Sequence, residues 1–398
     1  MVRRVGLFGL GTVGNGVAEI LASRSDFDLQ QVVTAHPEKH DVAVPMSTRL
    51  ADILDDERIE IVIETIGGLE PARTIIETAL QRGKSVVTAN KQLMATYGDE
   101  LLALASQNNV QLRYEAAIAG AIPIVNVLEN SLALGDVEAL VGVLNGTTNF
   151  MLTQMDAQQL TYAQALTQAQ QAGFAEADPT FDVQGLDTAY KLHLLIKRAF
   201  GVDVPLSGLS FQGIETVTET DILVAQQWQM QIKLLAYARL EGGKLAVQVA
   251  PFFVSAAQNL ARVRGAYNVI EIASLTAGTL TFSGLGAGQL PTAHAVVNDV
   301  LALSYQQTRP VARQEIPIIT PAWRYVLRVQ VLEPATVVAM LEKWQVTIDF
   351  ERIDGYLIGR SLVLSAGQLA SVVADLKGLS EVGVVVAMPI YEDNLYTT

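Results

Sequence analysis

The chain has no cysteine, which excludes disulfides, a thiolate nucleophile and a cysteine-ligated metal. Histidine occurs only at His36, His40, His193 and His294, too scattered for a zinc set. Charged residues make up only 17%, whereas half of the 398 residues are hydrophobic, so a large core can be buried. Basic side chains are the scarcer sign, 27 Lys and Arg against 41 Asp and Glu, and the formal net charge is −14. Nucleic acid is therefore excluded as the main partner, because its phosphates need a basic surface; a local basic group can still hold a small anion. The uncharged stretch 272–297 is broken by Gly278, Gly284, Gly286, Gly288 and Pro291, which argues against a membrane-spanning helix. The opening MVRRVGLFGLG is a strand and a glycine turn rather than a signal peptide, and a cytoplasmic protein is expected.

What is present is an alternation of two periods. Short apolar runs at 5–8, 29–34, 61–64, 85–88 and 110–114 read as strands, and helical spacing fills 13–21, 71–81 and 99–107. Such an order implies an α/β fold with a doubly wound parallel sheet. From about Asp136 the pattern becomes α+β, with a strand at 137–144 and a helix at 162–172. The run 234–240 reads equally well as strand or helix, and 245–249 as strand. Residues 284–303 read as a glycine turn and a helix. Pro310, Pro317 and Pro321 mark 310–320 as a linker. Beyond it, runs at 325–331, 334–344, 346–352, 356–364, 366–378 and 382–388 give a βαββαβ order, a ferredoxin-like module. The expected domains are 1–130, with 290–305 returning to it, 131–289, and 320–398.

Gly9-Leu10-Gly11-Thr12-Val13-Gly14 is a GxGxxG between the first strand and the first helix. The first glycine permits the turn, the second lets backbone approach a pyrophosphate, and the third permits close helix–strand packing. In that context the motif indicates a Rossmann dinucleotide site. About 20 residues on, where an acid would hold the ribose of NAD, stand Ala35 and His36, followed by Lys39 and His40. NAD and NADP both remain open, as does a plain solvated loop.

The stretch GFAEADPTFDVQGLDTAYK, 173–191, places four carboxylates, Glu176, Asp178, Asp182 and Asp187, ahead of Lys191. Asp187 and Lys191 lie one helical turn apart, about 5–6 Å between Cβ atoms. Taken alone they form an ordinary helix ion pair; beside a polar loop and followed by Leu192, Leu194 and Leu195, they could also move a proton in a partly dry site. Asp178 and Asp182 are explained equally well by substrate binding and by an Asp-Pro turn with a helix-entry acid. His193 points off the Lys191 face and reads as structural.

Together GLGTVG at 9–14, TANK at 88–91, EAAIAGAIP at 115–123, NGTTNF at 145–150, the 173–191 block and GLGAGQLPTA at 284–293 resemble homoserine dehydrogenase over about residues 1–305. The resemblance implies NAD- or NADP-dependent interconversion of L-homoserine and L-aspartate 4-semialdehyde in threonine and methionine biosynthesis. It implies Lys191 as the proton-transfer group and Asp187 as its orienter or as a polariser of the hydroxyl. Lys91 would lie near nicotinamide and substrate, Glu176 would bind the substrate ammonium, and Thr147 and Asp182 would line the pocket. Gly9, Gly11, Thr12, Val13, Gly14, Lys91 and Gly286 would meet the cofactor, with Gly288 beside Gly286. Glu115 with the carbonyls of Ile118, Gly120 and Ile122 would hold sodium; the alternative is a turn before a helix at Pro123.

Residues 323–390 resemble an ACT domain whose Leu332-Glu333-Pro334-Ala335-Thr336 turn lacks the ligand-placing glycine, so an effector sensor and a structural or dimerising module both stand. The resemblance further implies a monofunctional homo-oligomer, a dimer or tetramer. Two other readings remain: a Rossmann oxidoreductase acting on a related amino acid, and a nucleotide-binding regulator without turnover. Homoserine-dependent reduction of the cofactor discriminates among them.

Overall fold

The computed structural model describes residues 2–303, 314–332, 334–344 and 351–392. Within these the chain divides into two compact units. The first comprises 1–136, 190–203 and 282–314, and the second 137–189, 204–281 and 315–398.

In the first unit the strands are β1 (Arg3–Phe8), β2 (Phe27–Val33), β3 (Met46–Ser47), β4 (Ile61–Glu64), β5 (Ser85–Thr88) and β6 (Leu112–Arg113). They form one parallel sheet in the order β3-β2-β1-β4-β5-β6. Its helices are α1 (Thr12–Ala22), α2 (Ala51–Leu54), α3 (Ala72–Gln81), α4 (Lys91–Gln107) and α5 (Ile124–Asn126), the last running into a π-helical turn, Val127–Ser131. This is the doubly wound α/β order, and its direction of winding reverses between β1 and β4. The expected strands at 61–64 and 85–88 are present with those bounds. Two differences matter for the site. The expected helix at 99–107 begins eight residues earlier, at Lys91, because the Asn90 side chain accepts from Leu93 N and caps it. The expected strand at 110–114 shortens to two residues, because Tyr114 turns away into the 3₁₀ turn Glu115–Ala117.

The second unit opens with β7 (Val137–Val143), α6 (Gly146–Gln158), α7 (Tyr162–Gln171) and α8 (Thr180–Val183). Next comes α9 (Leu186–Phe200), whose first turn belongs to this unit and whose remainder, from Tyr190, belongs to the first. Then follow α10 (Glu219–Gln227), the long hairpin β8 (Met230–Glu241) and β9 (Lys244–Ser255), α11 (Asn259–Arg262), β10 (Tyr267–Ser274) and β11 (Gly278–Leu285). The ambiguous run 234–240 is thus strand. Its residues are buried on both faces up to Ala238, so neither period stands out in the sequence. The helix α12 (Gln289–Ala302) returns to the first unit, where Ala293, Val296 and Val300 join Val5, Leu7, Val17 and Ile63 in one core.

The expected linker at 310–320 lies partly outside the described residues; its visible part includes a short strand, β12 (Ile318–Ile319), parallel to β9. The C-terminal module is β13 (Tyr325–Val331), α13 (Pro334–Lys343), β14 (Glu351–Ile353), β15 (Tyr356–Arg360), α14 (Ala366–Lys377) and β16 (Val382–Tyr391). The expected strand start at 346–350 and the Glu333 position lie outside the described residues. The module's sheet order, β16-β13-β15-β14, is that of a ferredoxin-like fold. Its last strand also lies parallel to β9, Ile390 opposite Phe253 and Tyr391 opposite Val254, so module and hairpin share one sheet. Trp323 sits edge-on to Tyr237 and Phe252, at 4.9 and 5.2 Å between ring centroids, and donates through its indole N–H to Gln248 Oε1 at 2.7 Å.

Candidate active site

The glycine loop occupies the turn between β1 and α1, at the winding reversal. Gly9 has φ +90°, and a Cβ there would meet the Thr65 carbonyl at 2.9 Å; a Cβ on Gly14 would come within 2.1 Å of Gly9 O. Both glycines are therefore required by the protein's own packing. Gly11 is different: a Cβ there would meet nothing within 4 Å, and no side chain caps α1 at that position. A helix N-terminus left to its backbone, preceded by a residue with open space before it, fits a dinucleotide pyrophosphate. Thr65, after β4, secures the loop by donating to Phe8 O and Gly9 O at 3.1 and 3.0 Å. Past β2, His36 Nδ1 lies 3.3 Å from Glu38 Oε1, and both side chains are exposed.

The carboxyl ends of β4 and β5 are joined by side chains. Glu64, fully buried, accepts from Ile66 N, Gly67 N and Thr88 Oγ1. Thr88 Oγ1 accepts from Asn90 N, and Asn90 donates to Gly68 O. Lys91, half-buried, follows as the first residue of α4. Within the first unit, Lys197 Nζ lies 2.7 Å from Asp99 of α4, and Arg198 pairs with buried Glu129. These pairs anchor the end of α9, whose buried Lys191 lies further up the same helix.

In the second unit a compact polar cluster forms where α6 begins. Asn145 caps α6 by accepting from Thr148 N at 2.8 Å. Its amide donates to Asp182 Oδ1 at 2.7 Å and to Asp187 Oδ2 at 2.8 Å. Thr147 Oγ1 lies 3.1 Å from Asp182 Oδ2 and 2.5 Å from Phe174 O. Asp187, Asp182 and Thr147 are thus brought together, with Asp187 one turn ahead of Lys191 on α9. Glu176 is not part of this cluster; it is exposed on the loop between α7 and α8. Asp178 is exposed too and accepts from Thr180 N at 3.1 Å, a turn contact whose Thr180 hydrogen bonds hold its carboxyl below the usual range.

A buried lysine supports the same helix. Lys233 of β8 donates to Asn149 Oδ1 of α6 at 2.9 Å and to Val263 O. Burial, reinforced by Arg264, pushes its pKa down to about 7 from 10.5. Between these values the unfolded chain holds a proton that the folded protein does not. Stability therefore rises with pH across this window, and the gain is lost as pH falls through about 7. Urea midpoints measured against pH should rise less steeply for Lys233→Met than for the wild type; equal slopes would rule the assignment out.

Two family models match the chain: "Homoserine dehydrogenase, NAD binding domain" over residues 9–115 and "Homoserine dehydrogenase" over 123–301. The chain belongs to the homoserine dehydrogenase family. It is accordingly an NAD(P)-dependent oxidoreductase acting on a CH–OH group. The homoserine dehydrogenase of Bacillus subtilis is 39% identical over 313 residues, 75% of this chain and 72% of that protein. A crystal structure of a homoserine dehydrogenase from Thiobacillus denitrificans aligns with a TM-score of 0.92 at 32% identity, covering 99% of both chains. A hyperthermophilic archaeal homoserine dehydrogenase in complex with NADPH aligns at 0.65 and 27% identity, over 78% of this chain and all of that one.

Against the homoserine dehydrogenase motifs, the 115–123 segment has its own logic. Buried Glu115 accepts from Val125 N and Asn126 N, each at 2.8 Å, and so caps α5. Its own N–H donates to Asp299 Oδ2 of α12 at 2.8 Å. Burial pushes Glu115 up to about 8 and Asp299 up to about 7. Ile122 O accepts from Ile124 N at 2.8 Å. Carboxyl and carbonyl oxygens such as these are of the hard type that a hard cation takes. Gly120, at φ +55°, packs closely on Gly286: a Cβ there would meet the Gly286 carbonyl at 2.6–2.7 Å.

Two participants were not singled out from the sequence. Asn145 reaches its acids 37 and 42 residues away, which no spacing shows. Glu64 left a faint signal, a lone acid ending a four-residue apolar strand.

Proposed function

We propose that the chain interconverts L-homoserine and L-aspartate 4-semialdehyde with Lys191 as the proton-transfer group. The observation that carries this reading is the Asn145 amide. It donates to Asp182 and Asp187 together, fixing two acids beside the start of the helix that bears Lys191. Oxidation of a CH–OH group removes a hydride, with its electron pair, and a proton. Bound NAD(P) supplies the hydride acceptor, or the donor in the reverse direction. Lys191, as the free amine, takes the hydroxyl proton; as the ammonium it returns that proton to the carbonyl oxygen in reduction. Asp187 orients Lys191. Thr147 and Asp182, already hydrogen-bonded to each other, offer a hydroxyl and a carboxylate to the substrate's polar groups. Glu176, exposed on its loop, holds the substrate ammonium by charge. Gly9, Gly11, Thr12, Val13 and Gly14 hold the pyrophosphate, while Lys91 and Gly286 face the remainder of the cofactor. Sodium at Glu115, Ile118, Gly120 and Ile122 belongs to the same reading, as does a cytoplasmic dimer or tetramer. The C-terminal module is a structural or effector-sensing ACT-like domain.

The test is reduced-nicotinamide absorbance with L-homoserine, run with NAD and NADP side by side. Homoserine-dependent reduction with at least one cofactor is expected. Cofactor binding with no such reduction would leave a nucleotide-binding regulator instead.

A further inference from the structure

Glu64 is the last residue of β4, the strand flanked by β1 and β5, with Phe8 opposite it on one side and Thr88 on the other. Its side chain is fully buried. A carboxylate so placed costs stability unless every oxygen is satisfied. Among the described residues it forms no salt bridge; neutral donors alone serve it. Oε1 accepts from Ile66 N at 2.7 Å and Gly67 N at 3.1 Å, and Oε2 from Thr88 Oγ1 at 2.5 Å. The chain of bonds continues. Thr88 Oγ1 accepts from Asn90 N at 3.0 Å. Asn90 Oδ1 accepts from Leu93 N at 3.0 Å, and its amide donates to Gly68 O at 2.6 Å. The bonds therefore close a circuit: Glu64 to the 66–68 turn, the turn to Asn90, Asn90 to Thr88, and Thr88 back to Glu64. One point of that circuit adjoins Thr65, which grips Gly9; another is the cap of α4, whose first residue is Lys91.

We infer that Glu64 is a positioning residue of the cofactor site, setting the 65–68 turn and the start of α4 relative to the glycine loop. An apolar residue would fill the end of an inner strand at less cost. Only an acceptor with two oxygens can hold two backbone amides on one side and a hydroxyl on the other. The location agrees: ligands of open α/β sheets lie beyond the carboxyl ends of the strands, at the winding reversal. The inference rests on the reading of Gly9–Gly14 and Lys91 as cofactor-site residues.

Glu64→Gln tests it, because the shape is kept and one acceptor becomes a donor. The amide NH₂ then faces a Thr88 hydroxyl that already receives Asn90 N–H, and the hydroxyl proton loses its acceptor. Expected are a folded protein, faster hydrogen exchange at Ile66, Gly67 and Leu93 in the absence of cofactor, and a Kd for NADPH raised about tenfold, measured by fluorescence. Thr88→Val should reproduce these changes, should Glu64→Gln not fold, and Thr88→Ser should restore wild-type values. The double variant Glu64→Gln/Thr88→Val should add little to either single change. Unchanged exchange at the three amides together with unchanged NADPH affinity overturns the inference. Lys91→Ala keeps the two claims apart. If that variant turns over and binds NADPH like the wild type, the role given to Lys91 fails, whereas altered exchange in Glu64→Gln still upholds the positioning circuit.

Discussion

Lys191→Ala is expected to lower kcat by about 10²–10⁴-fold, the range for removing a positioned acid–base group, with nicotinamide-cofactor binding intact. A hydride leaves carbon as a proton leaves oxygen, and the proton needs a receiver within reach. The Lys191 side chain is buried, and the acid one turn before it is fixed by the Asn145 amide. Lys191→Arg should be no better than Ala, because a guanidinium stays charged and cannot accept the proton. Added primary amines should restore part of the turnover to Lys191→Ala and none to Lys191→Arg. Wild-type kcat in the alanine variant would remove Lys191 from the mechanism. Asn145→Ala gives an intermediate case: Lys191 remains, while Asp182 and Asp187 lose their shared donor.

The largest effect on stability is expected from Arg328→Met, at about 3–5 kcal/mol. Arg328 of β13 and Asp221 of α10 have side chains 3% and 1% exposed, with Nε 2.8 Å from Oδ1. The guanidinium also donates to Thr216 O at 3.0 Å and lies 4.9 Å from the centre of the Tyr356 ring. Burial raises the pKa of Asp221 even with Arg328 opposing it, so removing the arginine leaves a buried acid with little to stabilise its charge. A raised folded-state pKa favours the protonated acid in the folded protein. The variant's deficit should therefore be greatest at neutral pH and shrink as pH falls toward the ordinary aspartate range. Urea denaturation at neutral and acid pH measures both. Arg328→Met combined with Asp221→Leu should recover much of the loss, since no charge then remains buried. A single variant as stable as the wild type at neutral pH would refute the expectation.

The sequence disclosed most where one local rule acted alone. β4 and β5 were legible to the residue because each is a short apolar run ending at a polar side chain. β3 was not, since two residues at a sheet edge carry no period. The start of α4 was hidden because its first turns include Thr96, Tyr97 and Gly98, poor helix formers, and the Asn90 cap decides the matter instead. At the site, Asp187 and Lys191 were visible because a helix brings i and i+4 together. Asn145 and Glu64 were not, because their partners come from other elements: α8 and α9 for Asn145, β5 and the turn after β4 for Glu64.

The β9–β16 pairing bears on the order in which the protein can be made. β16 lies between β9 and β13, yet among the described strands it is synthesised after all the others. While residues 382–391 remain inside the ribosome, the hairpin and β13 have no common neighbour, and the second unit's sheet is in two pieces. The first unit waits as well, because α12 completes its core nearly two hundred residues after β6. Neither unit can mature during translation in simple N-to-C order. A nascent chain stalled short of residue 382 would present to chaperones the edge of β13 and the Phe253–Val254 end of β9, both of which β16 covers in the finished molecule.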